Sequence, residues 1–247
     1  METLRLETDG PVTWVWLDRP ERRNSFDQTT LTELRESFEM LDADETVGAV
    51  VLAARGPVFS AGFDVEWMLR LTAKTVRQEL AGIRAVYDTI EGCSKPFIVA
   101  VDGPAVGGGL LLALTADIRL ATERAGFGAP EVKIGIFPSL DLVPRLERIV
   151  GLGMAKRMVL TGDMISASEA EGSGLVGRLI SPDSLLDEAG TLARDLADLP
   201  PMGVQTAKKA FAASRRPGHA EWEIDAFTRC WTSPEREPAM RAFLQSR

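Results

Sequence analysis

Two glycine-containing stretches are placed where the backbone can bind a negatively charged oxygen atom. Ser60-Ala61-Gly62 precedes Phe63, and Gly107-Gly108-Gly109 follows the apolar run 97–101. Small residues between a strand and a helix let the backbone turn sharply, so the N–H groups of Phe63 and Gly108 can point outward. Two such donors are what an oxyanion hole for a carbonyl oxygen requires. Taken alone, the first stretch is better explained as a turn, and the second fits close helix–strand packing equally well.

Glu131 is the acidic residue best placed to move a proton beside such an oxygen. It lies between Pro130 and Val132 in the stretch GAPEVKIGIFPSLD, residues 128–141. Partial burial in this apolar company would raise its pKa toward neutrality and suit it to acid–base catalysis. An isolated glutamate is more often a surface residue. Together the three stretches predict enolate chemistry, in which two N–H groups hold the oxygen and the carboxylate moves a proton.

Other catalytic chemistries lack the residues that they need. His219 is the single histidine, which argues against a Ser-His-Asp or Cys-His unit and against a catalytic zinc site. Cys93 and Cys230 lie far apart and are expected to be free thiols. The glycines match neither the dinucleotide fingerprint nor the phosphate loop. Acid–base work therefore falls on carboxylates, and no metal site is predicted.

The composition argues against nucleic-acid and membrane partners. The chain has 247 residues, 45% of them hydrophobic, and a net charge of −8. An acidic chain is a poor general partner for nucleic acid. No run approaches the roughly 18 apolar residues of a membrane span, and residues 1–7 lack the layout of a signal peptide. We therefore expect a cytoplasmic protein.

The chemical stretches lie among elements that alternate as buried strand, loop and helix. Strands are predicted over 4–7, 12–17, 49–53, 97–101 and 117–121. Helices are predicted from the apolar spacing across 31–41 and 76–90. This order favours an α/β fold with crossover helices.

From about residue 139 the signals are mostly helical. Ser139 or Asp141 is a candidate N-cap for a helix through 150, and Ser166 with Glu169 has the spacing of a capping box. Further helices are predicted over 181–199, 202–213 and 219–231, and from Ser233 onward. The sequence thus predicts one α/β core over 1–195 and a helical C-terminal segment over 196–247.

Motifs along almost the whole chain occur in a specific order and spacing. They are Arg19-Pro20 with Asn24, FSAGFD at 59–64, VDGPAVGGG at 101–109, AD at 116–117, FGAPEVKIGIFP at 127–138 and TGDMISASEAEGSGLVGRLI at 161–180. This set resembles the crotonase superfamily, also called the enoyl-CoA hydratase/isomerase family. The resemblance implies a crotonase-like α/β spiral of ββα repeats. It also implies C-terminal helices that pack around a homotrimer, commonly doubled to a dimer of trimers.

The resemblance implies roles for individual residues. The N–H groups of Phe63 and Gly108 would hold the thioester oxygen of an acyl-CoA substrate, and Glu131 would move the proton. Coenzyme A is then part of the substrate, and no separate cofactor is implied. Contacts to the substrate are expected from Arg23, Asn24, Ser25, Ser60, Ala61, Gly62, Asp64, Gly107, Leu111, Phe137, Ser139 and, from a neighbouring subunit, Phe227. An apolar acyl pocket is expected from Phe63, Trp67, Met68, Leu71, Leu111, Ile136, Phe137 and Leu140, which would serve equally well as core.

Leu111 is the informative departure from the family pattern. Hydratases of this family carry a second catalytic glutamate at the matching position. A double-bond shift needs only one group that takes and returns a proton, so Glu131 alone fits a Δ3–Δ2 enoyl-CoA isomerase better. Hydratase, lyase or hydrolase activity stays open if Asp141 or another residue is a second acid; for Asp141 the competing interpretation is a helix N-cap. A non-catalytic acyl-CoA binding protein is the third alternative.

Two other positions also depart from the pattern. Some relatives place a catalytic aspartate where Ser139 stands. The lysine that contacts a coenzyme A phosphate in this family matches Ser246, which leaves that contact without its usual residue.

Overall fold

The computed structural model of the chain describes residues 1–72, 74–213, 225, 227–229 and 234. Its strands are β1 (Leu4–Asp9), β2 (Val12–Leu17), β3 (Ala49–Ala54), β4 (Phe97–Val101), β5 (Pro104–Val106), β6 (Ile118–Ala121), β7 (Gly126–Gly128), β8 (Ile165–Ser166) and β9 (Arg178–Leu179). Its α-helices are α1 (Gln28–Ala43), α2 (Val65–Met68), α3 (Val76–Gly92), α4 (Gly108–Thr115), α5 (Leu142–Thr161), α6 (Ala167–Gly172), α7 (Leu185–Ala197) and α8 (Pro201–Ala213). Short 3-10 helices cover Pro20–Arg22, Pro130–Ile134 and Pro182–Ser184. None of the helices in these described ranges is long and apolar enough to cross a membrane.

The larger sheet has the strand order β1-β2-β3-β4-β6-β9. β1 pairs antiparallel with β2, and the remaining pairs are parallel. The central strands β3 and β4 are apolar throughout because both faces of a parallel sheet are covered. Helices α1 and α3 pack against one face together with the main core, and α7 packs against the other.

A smaller sheet, β5-β7-β8, brings the glycine stretch next to the acidic stretch. β5 and β7 are parallel, with Pro104 opposite Gly126 and Val106 opposite Gly128. Parallel neighbours end at the same edge of a sheet. Gly107 follows β5 and Glu131 follows β7 shortly after, so the register places both residues at that edge.

The structure confirms the long elements and corrects several shorter ones. The helix predicted to end at 150 continues to Thr161, across a non-helical Gly151. The predicted helix over 181–199 is a 3-10 turn followed by α7, and α8 begins at Pro201 rather than at 202. The capping box of Ser166 and Glu169 is confirmed. The strands of the smaller sheet were not predicted, because two or three residues carry no readable periodicity.

Several sequence predictions concern residues after Ala213. The helices predicted over 219–231 and from Ser233 lie largely outside the described residues, as do His219, Cys230 and Ser246. The division of the chain at residue 195 stays a prediction.

Candidate active site

Backbone hydrogen bonds fix the loop of residues 60–64. Ser60 N donates to Pro104 O (3.1 Å), and Val106 N donates to Ser60 O (2.9 Å). Further along the loop, Phe26 N donates to Gly62 O (2.8 Å) and Asp64 N donates to Phe26 O (2.9 Å). The loop is therefore tied to β5 on one side and to the segment before α1 on the other.

Gly62 brings this loop against the start of α4. Its φ is +83°, a conformation that favours glycine. A Cβ atom at this position would lie 2.6 Å from Val106 O and 3.0 Å from Gly108 N. Glycine is therefore required both by the backbone conformation and by the close approach, which makes Phe63 and Gly108 neighbours.

The N–H groups of Phe63 and Gly108 have no hydrogen-bond acceptor among the described residues. Gly108 is the first residue of α4, and N–H groups in a first helical turn have no partner inside the helix. The N–H groups on either side of Phe63 are occupied, by Ser60 Oγ and by Phe26 O. Both residues line the same cavity, so two free donors are available to a ligand there.

Glu131 lies beside the peptide group that precedes Gly108. Gly107 has a φ of +54°, and its N–H donates to Gly128 O at the end of β7 (2.9 Å). A Cβ atom at Gly107 would lie 2.9 Å from Glu131 Oε1. The missing side chain at Gly107 thus leaves the space that the carboxylate occupies.

The Glu131 carboxylate is set up to hold or release a proton. It is half-buried on the 3-10 helix Pro130–Ile134, and its Oε2 atom has no hydrogen-bond partner among the described residues. Burial raises the pKa of Glu131, because removal from water disfavours the charged form, and this outweighs a backbone hydrogen bond that lowers it. A carboxyl group with a raised pKa at a cavity wall is suited to proton transfer.

The cavity has a volume of about 770 Å³ and mostly apolar walls. All eight residues predicted to form an acyl pocket line it, together with Ser139 and the two N–H residues. Leu111, where the family resemblance implies a glutamate in hydratases, is buried at its wall. Within the described lining, the ionisable side chains are Glu131 and Glu79.

Asp141 is turned away from this cavity. Its half-exposed carboxylate pairs with the Arg84 guanidinium of α3, at 2.5 Å between Nη1 and Oδ2. The hydrogen bond and charge of Arg84 hold the pKa of Asp141 below its usual value, so the group is ionised at neutral pH. Asp141 occupies the N-cap position of α5, but it has a left-handed φ of 62° and makes no side-chain cap. The N-cap interpretation is thus right for the position and wrong for the side chain.

The side chains of Asn24 and Ser60 bind other loops. Asn24 is buried; its Oδ1 accepts from Arg19 N, and its Nδ2 donates to Arg55 O and Val58 O. Ser60 Oγ donates to Asn24 O and accepts from Gly62 N. These two side chains hold the loops together, and the backbone N–H and C=O groups of Asn24 and Ser60 are also hydrogen-bonded within the protein.

The remaining predicted substrate contacts lie at varied depths. Arg23 is exposed in a left-handed conformation, whereas Ser25 is buried and its Oγ donates weakly to Asp64 Oδ2 (3.5 Å). Asp64 also caps α2 through Trp67 N. Phe227 is exposed and is not among the residues that line the cavity. Its predicted place against a substrate in a neighbouring subunit stays a prediction.

Two residues near the site, one in the cavity lining and one behind it, were given no role in the sequence analysis. Glu79 shares one face of α3 with Val76 and Ile83. Their spacing of three and four residues could have predicted this position from the sequence. Tyr87, the single tyrosine of the chain, is buried two turns further along α3 and reaches Gly108. Its apolar spacing predicted burial but gave no indication of a hydrogen bond to the glycine stretch.

Comparisons with known proteins place the chain in a family. A model of the enoyl-CoA hydratase/isomerase family matches residues 7–247. A probable enoyl-CoA hydratase of Rhizobium meliloti (strain 1021) is 37% identical, covering 100% of this chain and 96% of that protein. A crotonyl-CoA hydratase of Syntrophomonas wolfei is 34% identical over the same shares. The solved structure of an enoyl-CoA hydratase from Bacillus anthracis superposes with a TM-score of 0.94 at 28% identity, covering 99% of this chain and 97% of that one. The chain belongs to the enoyl-CoA hydratase/isomerase family, within the crotonase superfamily.

Proposed function

We propose that this chain transforms enoyl-CoA thioesters through an enolate, with Glu131 as the group that moves the proton. The observation that carries the proposal is that two free N–H donors and the Glu131 carboxylate, whose Oε2 atom has no hydrogen-bond partner among the described residues, meet at one apolar cavity. The N–H groups of Phe63 and Gly108 bind the thioester oxygen, and the acyl group lies against the apolar walls. Coenzyme A enters as part of the substrate.

The chemistry follows from where charge develops. Glu131 takes a proton from C2 of a 3-enoyl thioester, and the electron pair of the C–H bond moves into a conjugated enolate whose negative charge lies on the thioester oxygen. The two N–H donors stabilise that charge, a contribution of about 100- to 1000-fold in rate for one donor. Glu131 then returns the proton to C4, which leaves the double bond between C2 and C3.

The single carboxylate beside the N–H donors favours this double-bond shift over hydration. Leu111 lines the cavity and Asp141 is bound to Arg84, so Glu131 is the acid that lies next to Gly107, beside the N–H donors. One group that takes and returns a proton is sufficient for a shift between C2 and C4.

Hydration is the second candidate, because the names of the curated relatives favour it. The relatives from Rhizobium meliloti and Syntrophomonas wolfei are both named hydratases, and so is a short-chain enoyl-CoA hydratase of Clostridium acetobutylicum that is 34% identical. Hydration adds the hydroxyl group of one water molecule to C3 and a proton to C2 of a 2-enoyl thioester. Either Glu131 both activates the water and protonates C2, or a second acid shares this work. Glu79 and Asp141 are the candidates for that second acid.

Paired assays distinguish the two reactions. The double-bond shift produces a conjugated 2-enoyl thioester from a 3-enoyl-CoA and so increases its ultraviolet absorption, whereas hydration of a 2-enoyl-CoA removes that absorption. We expect the shift to be the faster reaction. Hydration that is faster, and that falls in Glu79→Gln or Asp141→Asn, would establish the second candidate. Tight acyl-CoA binding with no turnover of any thioester would instead identify a binding protein.

Glu131→Gln is the decisive variant for the proton transfer. We expect turnover to fall by about 100- to 10,000-fold, because an amide cannot accept the proton, while acyl-CoA affinity in calorimetry stays nearly unchanged. In the wild-type protein, activity should rise with pH through the raised pKa of Glu131, because the base acts in its ionised form. Near-normal turnover by Glu131→Gln would remove this residue from the mechanism.

We also propose an oligomeric state for the chain, on the basis of its family membership. We expect a homotrimer or a dimer of trimers, in which Phe227 of one subunit approaches the substrate of the next. Light scattering of the purified full chain measures the mass, and a monomer that is fully active would contradict the proposed contact.

A further inference from the structure

Tyr87 contacts both residues whose N–H groups face the proposed thioester oxygen. Its hydroxyl donates to the carbonyl oxygen of Gly108 at 3.0 Å. Its ring packs edge-on against the Phe63 ring, with the ring centres 6.4 Å apart and the planes at 90°. The Tyr87 side chain therefore joins the two separate backbone segments of the oxyanion site from behind.

Gly108, Phe63 and Tyr87 pack tightly against one another. A Cβ atom at Gly108 would lie 3.1 Å from Phe63 Cε2 and 3.2 Å from the Tyr87 hydroxyl oxygen. Tyr87 itself is only 1% exposed, between Ile83 and Ile90 on the buried face of α3. Such packing leaves the Gly108 backbone little freedom to move, since buried side chains are held near fixed rotamers.

Other contacts hold Gly108 less directly. The preceding residue, Gly107, is anchored through its N–H to Gly128 O, and the loop carrying Phe63 is anchored through Phe26. Among the described side chains, the Tyr87 hydroxyl is the one that hydrogen-bonds a backbone atom of Gly108, its carbonyl oxygen. Burial raises the pKa of this hydroxyl and outweighs the charge of Arg145, which lowers it, while the charge of Glu131 adds a smaller rise; the hydroxyl therefore remains a protonated donor at every working pH.

We propose that Tyr87 is a positioning residue that sets the spacing and direction of the Phe63 and Gly108 N–H donors. This inference rests on the proposed function, in which those donors bind a thioester oxygen. Tyr87 does not touch the reacting atoms; it acts through the two residues that do. Its loss should therefore weaken stabilisation of the enolate more than binding of the ground-state thioester.

The kinetic test compares Tyr87→Phe with Thr115→Val. Thr115 is a buried residue at the end of α4, the helix that Gly108 begins, and its hydroxyl donates to Leu112 O (2.7 Å) away from the cavity lining. We expect Tyr87→Phe to lower kcat about 10-fold, because a small misplacement of catalytic donors is costly, with KM nearly unchanged. Thr115→Val should leave both constants near the wild-type values. Equal losses of kcat in the two variants, or no loss in Tyr87→Phe, would overturn the inference.

A spectroscopic test separates this inference from the proposed function. Cinnamoyl-CoA is mixed with Glu131→Gln, which cannot transfer a proton. Donors on the thioester oxygen should polarise the conjugated system and shift its absorption to longer wavelength. We expect this shift to shrink in Glu131→Gln/Tyr87→Phe and to persist in Glu131→Gln/Thr115→Val. No shift in the parent would overturn the proposed function together with the role of Tyr87. A full shift in the Tyr87 variant would overturn the role of Tyr87 alone.

Discussion

The two sides of the cavity are held in place by different interactions. On the oxyanion side, residues 60–64 and 107–109, the positions are set by backbone hydrogen bonds and by glycines at close approaches. On the carboxylate side, residues 130–141, the wall is tied to α3 and α5 by charged side chains. Arg145 Nη1 donates to Leu140 O (2.8 Å), and Arg84 pairs with Asp141.

The carboxylate side also contains a less favourable backbone. Leu140 and Asp141 have consecutive left-handed conformations, with φ of 59° and 62°. Each costs about 1–2 kcal/mol for a residue with a Cβ atom, so the surrounding contacts must compensate for it. We infer a division between the two sides. Backbone contacts fix the positions of the N–H donors, whereas the acyl wall depends on side-chain contacts that a substitution can remove.

Gly62→Ala should break the oxyanion side and have the largest effect. A Cβ atom there would collide with Val106 O and press on Gly108 N, at a φ that already disfavours alanine. We expect kcat/KM to fall by at least about 100-fold, the effect of losing one oxyanion donor. Gly135→Ala is the matched control on the carboxylate side, because its φ is +79° and a Cβ atom would meet nothing within 4 Å.

The control isolates geometry from backbone strain. Both alanine variants should lose stability from the left-handed conformation, about 1–2 kcal/mol in urea unfolding. Only the Gly62 variant should lose most of its activity. Comparable kinetic losses in both variants would show that the two sides are equally sensitive, and the proposed division would then be wrong.

Arg145→Leu should break the carboxylate side with a smaller effect. The Arg145 side chain is 6% exposed, and its Nη2 atom also pairs with Glu91 (2.6 Å). Its loss leaves the buried Leu140 carbonyl without this donor, which should cost about 1–3 kcal/mol in the free energy of unfolding. We expect KM for the enoyl-CoA to rise more than kcat falls, because the residue supports the acyl wall rather than the N–H donors.

Arg157→Leu provides the comparison for that measurement. Arg157 lies on the same helix and pairs with Glu169 at the surface, where an ion pair contributes less than about 1 kcal/mol. An Arg145 variant that is no less stable than the Arg157 variant would show that the Leu140 turn needs no side-chain support.

The same contrast explains what could be predicted from the sequence. The run of β3 and the helical spacing of α3 carry their own signals, and the glycine stretches with Glu131 match a family pattern. Composition alone did not bring Gly107 and Glu131 together; the parallel pairing of β5 and β7 does so, and those strands are too short to predict. The direction of Asp141 was also beyond the sequence, because its partner Arg84 lies 57 residues away.

Asp141→Asn should have the smallest effect and sharpens the assignment of the acid. Because Arg84 lowers the pKa of Asp141, the ion pair stabilises the folded protein above the unfolded pKa of about 3.9, and this contribution is lost as pH falls through the lower folded value. The carboxylate is half-exposed, so we expect a loss of less than about 1 kcal/mol at neutral pH. Added salt should reduce the loss further.

Its activity then tests which carboxylates belong to the site. If Asp141 only ties the wall to α3, Asp141→Asn and Arg84→Gln should have nearly the same modest effect on the double-bond shift and on any hydration, and the double variant should add little to either, since both changes remove one ion pair. A hydration rate that collapses in Asp141→Asn but survives in Arg84→Gln would mean that this carboxylate turns into the cavity when substrate binds. Asp141 would then be the second acid, and the carboxylate side would be a moving part of the catalytic machinery rather than a fixed wall.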